Sequence, residues 1–252
     1  MADTAHHGPL DQFAVSPIIE LPRALGIDTS ITNSALFMLL AVAATVVLFV
    51  FAMRKRATIP GRMQSLAEIS YQFVHGIVGE NAGKDGMKYF PLMFTLFLFI
   101  MFVNVIGLLP MSFAPTSQII VTIGLGAFMF LAIVVIGIVK QGPVKFLKHF
   151  MPPGLPLWIA PLVLVIEIVS YLSRPLSLGI RLAANMTAGH TLIHVMAGFV
   201  APLALFGFLP IVFLVFMTGF EFFVAILQAY VFTMLCSMYL GEALADHDHD
   251  HH

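Results

Sequence analysis

Four charged residues other than histidine stand inside long apolar runs: Glu167, Arg174, Arg181 and Glu221. A charge in such a place is expensive in a membrane and usually serves chemistry. Glu167, Ser170, Arg174, Ser177, Arg181 and Asn185 follow one another by three or four residues. On a helix that spacing puts them on one face. Serines alone would read as hydrogen-bond glue between helices. With a carboxylate and two guanidinium groups beside them, the stripe reads as a hydrated path. Thr218, Glu221, Gln228 and Tyr239 form a second narrow stripe in the last apolar run. His190 and His194 lie one turn apart and would suit a haem or a metal. No facing histidine partners them in the spans, and Cys236 is the single cysteine. No metal and no cofactor is therefore expected.

The residue types divide the work. Arginine keeps its charge at any relevant pH, so it is a poor proton relay. Its use in a proton path is electrostatic: it blocks leakage and favours the ionised form of a carboxylate that approaches it. Glutamate and histidine titrate near neutral pH when partly buried. Glu221 with His190 suits one proton-conducting vestibule, and Glu167 suits another nearer the inner face. Arg181 lies between them. Two half-paths separated by a fixed positive charge cannot conduct alone. They need a mobile carboxylate, which must come from a partner.

The elements that position these groups follow from hydropathy. The chain has 252 residues, of which 60% are hydrophobic and 10% charged, with a mean hydropathy of +0.98. A soluble domain carries about 25% charged residues. A span needs roughly 20 apolar residues. The spans are predicted at 31–53, 90–110 and 118–140, followed by two overlong helices at 156–195 and 202–244. Residues 1–30 form an external segment, and 245–252 a polar tail. Residues 62–82 have a helical apolar spacing with polar residues between, as in a helix lying on a membrane surface. The predicted fold is all-α: five crossings plus that interfacial helix, in a single membrane domain. Basic residues after the first and third spans (Arg54, Lys55, Arg56, Arg62; Lys140, Lys145, Lys148) mark inner loops, so the N-terminus lies outside and the C-terminus inside.

Depth constrains the fourth helix. Arg181 comes 25 residues after Pro156, roughly 37 Å along a helix axis. An upright helix would carry it past a hydrocarbon core of roughly 30 Å. Holding it near mid-membrane requires a tilt of about 65°, far beyond the usual range. Pro175 and Gly179 offer a place to bend. An antiparallel hairpin turning near residue 204 would bring Arg181 near Gln228 and His190 near Glu221.

Several classes are disfavoured. The net charge of −1 argues against nucleic acid as a partner. One cysteine allows no intrachain disulfide, and no basic n-region precedes an apolar core, so no signal peptide is expected. The tail from Asp246 to His252 has metal-binding residue types but reads as solvated. A self-contained transporter, with Arg181 binding an anionic substrate, is the alternative function. It would show internal repeats and paired broken helices, and neither is visible. An intramembrane enzyme or redox subunit lacks a nucleophile motif, a metal set and a haem pair.

The run Ser173-Arg-Pro-Leu-Ser-Leu-Gly-Ile-Arg-Leu-Ala-Ala-Asn-Met-Thr-Ala-Gly-His190 resembles the signature of the subunit a family of F-type ATP synthases. Glu221-Phe-Phe-Val-Ala-Ile-Leu-Gln228 and the Ala-Tyr-Val-Phe after it resemble that family's last helix, and the likeness extends to Asn104…Leu109-Pro110. It covers essentially the whole chain. The resemblance implies a stationary proton-channel subunit with no catalytic chemistry of its own, in which Arg181 faces a rotating ring of subunit c. It makes Asn185, His190, Glu221 and Gln228 the outer half-channel and Glu167, Ser170, Ser173, Arg174 and Ser177 the inner one. Tyr239 matches a polar position late in the final helix. Many bacterial members carry the acid and the histidine in swapped places, so this arrangement looks more like the mitochondrial type. Implied partners are the ring, peripheral-stalk subunit b (or b and b'), the rest of the complex and membrane lipid. The implied location is the bacterial inner membrane, or the mitochondrial one as the alternative.

Overall fold

A computed structural model describes residues 15–19, 30–54, 60–109, 112–143, 145, 159–200, 202–203 and 206–245. The external segment at 1–14 and 20–29, Lys55, Arg56, Lys148, the hairpin turn near residue 204 and the tail at 246–252 lie outside the described residues. The described part is helical: α1 (Asn33–Met53), α2 (Arg62–Gly86), α3 (Phe90–Gly107), α4 (Ile119–Gln141), α5 (Ala160–Gly198) and α6 (Phe208–Leu244). Among the described residues, four stretches are long and apolar enough to cross a membrane: Asn33–Met53, Arg62–Gly107, Ile119–Gln141 and Phe208–Leu244. α5 is not among them. It carries Glu167, Arg174, Arg181 and several serines, and Pro175 sits inside it.

The chain divides into two compact units, each discontinuous in sequence. The first comprises residues 1–57, 98–121 and 182–229. A short antiparallel pair, Pro17–Ile19 with Ile31–Thr32, leads into α1. Thr32 caps α1, its Oγ1 accepting from Ala35 N at 3.3 Å. Such a cap satisfies one of the donors that a helix start leaves without a partner. Ala41, Val103 and Ile106 form the centre of this unit's apolar core, with Phe37, Ala44, Phe99 and Phe102 around them.

The second unit comprises residues 58–97, 122–181 and 230–252. Here helices approach closely at glycines. A Cβ on Gly126 would stand 2.6 Å from the Pro175 carbonyl oxygen, and one on Gly179 would stand 2.8 Å from the Ile123 Cα. Without the tight packing that small residues allow, helices in lipid have little to hold them together. An aromatic group of Tyr71, Phe90 and Phe94 joins α2 to α3, with ring centroids 4.8–5.9 Å apart. α2 is interrupted at Gly83, whose φ of 64° is a conformation that costs glycine little.

Candidate functional site

The first unit holds most of the buried polar groups predicted to do chemistry. Glu221 and His190 are buried, and His190 Nε2 stands 3.8 Å from Glu221 Oε1. That distance is an ion-pair contact and too long for a hydrogen bond. Neither Glu221 oxygen nor His190 Nε2 has a hydrogen-bond partner among the described residues. Gly189 makes the approach possible: a Cβ there would press on the Glu221 carboxylate, 2.8 Å from its Cδ. One turn further along the buried face of α6, Asn104 Nδ2 donates to the Ala225 carbonyl at 3.5 Å. Asn104 Oδ1 and Gln228 Nε2 are buried with no hydrogen-bond partner among the described residues.

A cavity of about 680 Å³ reaches His190. Its lining includes His190, His194, Thr218, Asn33 and Ser112. The mixture of imidazole, hydroxyl and amide groups suits water, which needs two to four polar partners to settle. His194 is exposed to it, and its Nδ1 lies 3.0 Å from the His190 carbonyl oxygen.

The second unit treats its charges differently. Arg174 forms an ion pair with Glu242 through Nη1 and Oε2. Its guanidinium also lies 5.0 Å from the Tyr171 ring centroid and 4.8 Å from that of Tyr239. Both are cation–π distances. The void beside them is about 10 Å³, close to the least volume a water needs. Glu167 is half-buried, with no hydrogen bond or ion pair to a described residue. Ser170, Ser173, Ser177 and Arg181 are all exposed, and Ser173 Oγ donates to the Ser170 carbonyl at 2.7 Å. Arg181 makes no hydrogen bond or ion pair to a described residue. One turn before it on the same face of α5, Ser177 is also exposed. Asn185, in the first unit, is half-buried.

Sequence reasoning did not single out Glu242, Asn104 or Gln141. Glu242 extends the Tyr239 stripe by one more step of three, which was a readable signal. Asn104 entered only as part of a longer resemblance. Gln141 Nε2 donates to the carbonyls of Ala243 and Ala245, both at 2.9 Å, and nothing in its sequence surroundings points to that.

Apolar helices that enclose unsatisfied ionisable groups define a helical membrane protein that handles ions. The ATP synthase A chain family matches residues 35–241. A protein named ATP synthase subunit a in Rhodospirillum rubrum is 47% identical over 242 residues, covering 96% of this chain and 100% of the relative. A protein of the same name in Wolbachia sp. subsp. Drosophila simulans (strain wRi) is 46% identical over 237 residues, covering 94% and 98%. That in Wolbachia pipientis wMel is also 46% identical over 237 residues. The chain belongs to the ATP synthase subunit a family, the proton-translocating subunit of the membrane sector.

Proposed function

We propose that this chain supplies two offset half-channels and one ring-facing charge, Arg181, so that proton flow turns a ring of subunit c and drives ATP synthesis. The observation that carries this reading is Arg181 itself. An exposed guanidinium with no hydrogen-bond or ion-pair partner among the described residues is costly in lipid, at about 3 kcal/mol or more. A partner bearing a carboxylate would remove that cost.

In the outer half-channel, water in the first unit's cavity delivers a proton to His190 and Glu221. The proton passes on by way of Asn185 and Gln228 to a ring carboxylate. Once neutral, that carboxyl can turn into lipid, where a charged one could not. On the other side it releases its proton towards Glu167, with Ser170, Ser173 and Ser177 offering hydroxyls and Arg174 near the exit. Arg181 then meets only the ionised form, which keeps the two half-channels from short-circuiting. Tyr239 takes part through its contact with Arg174.

The proposed architecture has five crossings, α1, α3, α4, α5 and α6, with α5 and α6 a tilted antiparallel hairpin. The contacts of His190 with Glu221 and of Arg174 with Glu242 favour that pairing, since rising numbers on one helix meet falling numbers on the other. α2 lies in the inner interface, and the N-terminus is outside. The partners are the ring of subunit c and peripheral-stalk subunit b, in a bacterial inner membrane.

The test is ATP-driven proton pumping in vesicles holding the whole complex, with Arg181→Ala beside the unmodified chain. Loss of pumping with the complex still assembled is expected. Normal pumping would overturn the role of Arg181.

A further inference from the structure

Arg174 and Arg181 are seven residues apart on α5, two turns and about 10 Å along one face. They are the same chemical group, yet they are treated in opposite ways. Arg181 is exposed and unpaired among the described residues. Arg174 is paired with Glu242 and flanked by the rings of Tyr171 and Tyr239, with its side chain 24% exposed.

A staple between α5 and α6 is the simplest use of such a pair. Other contacts already hold the end of α6, however. Gln141 bonds the carbonyls of Ala243 and Ala245. Gly241 packs against the Asn81 carbonyl, and Leu240 reaches Gly86. Leu240, Ala243 and Leu244 are buried. The ion pair therefore adds little anchoring, and its charge is left to explain.

We propose that Glu242 is a masking counter-charge. It neutralises Arg174 so that a passing carboxylate meets one uncompensated guanidinium on α5, Arg181, and not two. This rests on the reading of Arg181 given under Proposed function. A free Arg174 two turns away would hold the ionised ring carboxylate at a second position, delaying its release. Glu242 touches no proton in this scheme; it is a positioning residue that acts through Arg174.

The test uses the assembled complex in vesicles, with Glu242→Gln, Glu242→Asp and the double variant Arg174→Gln/Glu242→Gln. Glu242→Gln is expected to lower pumping by roughly fivefold or more, because a charge that has lost its partner stays fully active in a poorly solvated place. Glu242→Asp, which keeps the counter-charge, should lose less, and the double variant should recover part of the loss. A staple lost and compensated would also show recovery, so a second readout separates the two. A carbodiimide labels the protonated ring carboxyl, and its pH profile reports what charge that carboxyl meets. Masking predicts that Glu242→Gln moves labelling to lower pH and that the double variant moves it back. If Glu242→Gln does not assemble, Glu242→Ser takes its place with the same expectations. Unchanged pumping, or an unshifted labelling profile, would overturn the masking role. Should Arg181→Ala also pump normally, the failure would belong to the reading of Arg181 instead.

Discussion

Two groups of ionisable residues, one in each unit, are built on opposite principles. Around Glu221 the carboxylate, His190 Nε2 and Gln228 Nε2 are buried without hydrogen-bond partners among the described residues, and His190 lines a cavity of about 680 Å³. Around Arg174 the charge is answered by Glu242 and by two aromatic rings, beside a void of about 10 Å³. A satisfied charge holds its place, whereas an unsatisfied one next to water can exchange a proton. On the proposed reading, the difference separates a charge answered within its own unit from groups left free to take part in proton transfer, and residue type alone does not reveal it.

This contrast predicts which substitutions damage assembly and which damage transport. The largest structural effect is expected at Gly241. A side chain there would collide with the Asn81 backbone carbonyl, which cannot move as a flexible side chain can. Gly241→Val should destabilise the second unit by about 2 kcal/mol or more and sharply reduce the subunit found in membranes. Normal levels would break the view that close helix packing sustains this unit.

Gly189→Ala should do the reverse. Its added methyl meets the Glu221 carboxylate, a movable group, so assembly should persist. The displaced carboxylate would no longer face His190, and pumping per assembled complex should drop several-fold, at roughly 1 kcal/mol of added barrier. Equal pumping would show that the spacing of these two groups is unimportant.

The smallest effect is expected at Thr233. Its hydroxyl is also buried without a hydrogen bond to a described residue, but it belongs to neither group and titrates nothing. Thr233→Val should leave thermal stability of the complex within about 0.5 kcal/mol of the unmodified value, or raise it, since an orphaned hydroxyl contributes little. A marked loss of pumping would mean that orphaned polar atoms matter here whether or not they ionise.

Much of this was legible in the sequence. Runs such as Phe90–Gly107 and Ile119–Gln141 are apolar enough to announce membrane helices by length alone. Charges inside such runs drew attention to Glu167, Arg174, Arg181 and Glu221, because lipid penalises them whatever the fold. What stayed hidden was pairing. Arg174 and Arg181 look alike in sequence, with similar apolar and serine neighbours. Only the fold brings Glu242, 68 residues away from Arg174, into contact with one of them. The glycines behaved likewise: Gly189 and Gly241 read as ordinary small residues until the neighbouring carboxylate and carbonyl are known. Asn104 hid for a related reason, since one amide in an apolar helix has many uses.

The most direct test is proton flux through vesicles containing the membrane sector without its soluble head, driven by an imposed gradient, with Glu221→Gln beside the unmodified chain. The substitution keeps the shape and removes the titrating group. The account predicts that flux falls by about tenfold or more while the subunit remains assembled. Flux equal to that of the unmodified chain would contradict it, and would mean that protons do not pass by way of Glu221.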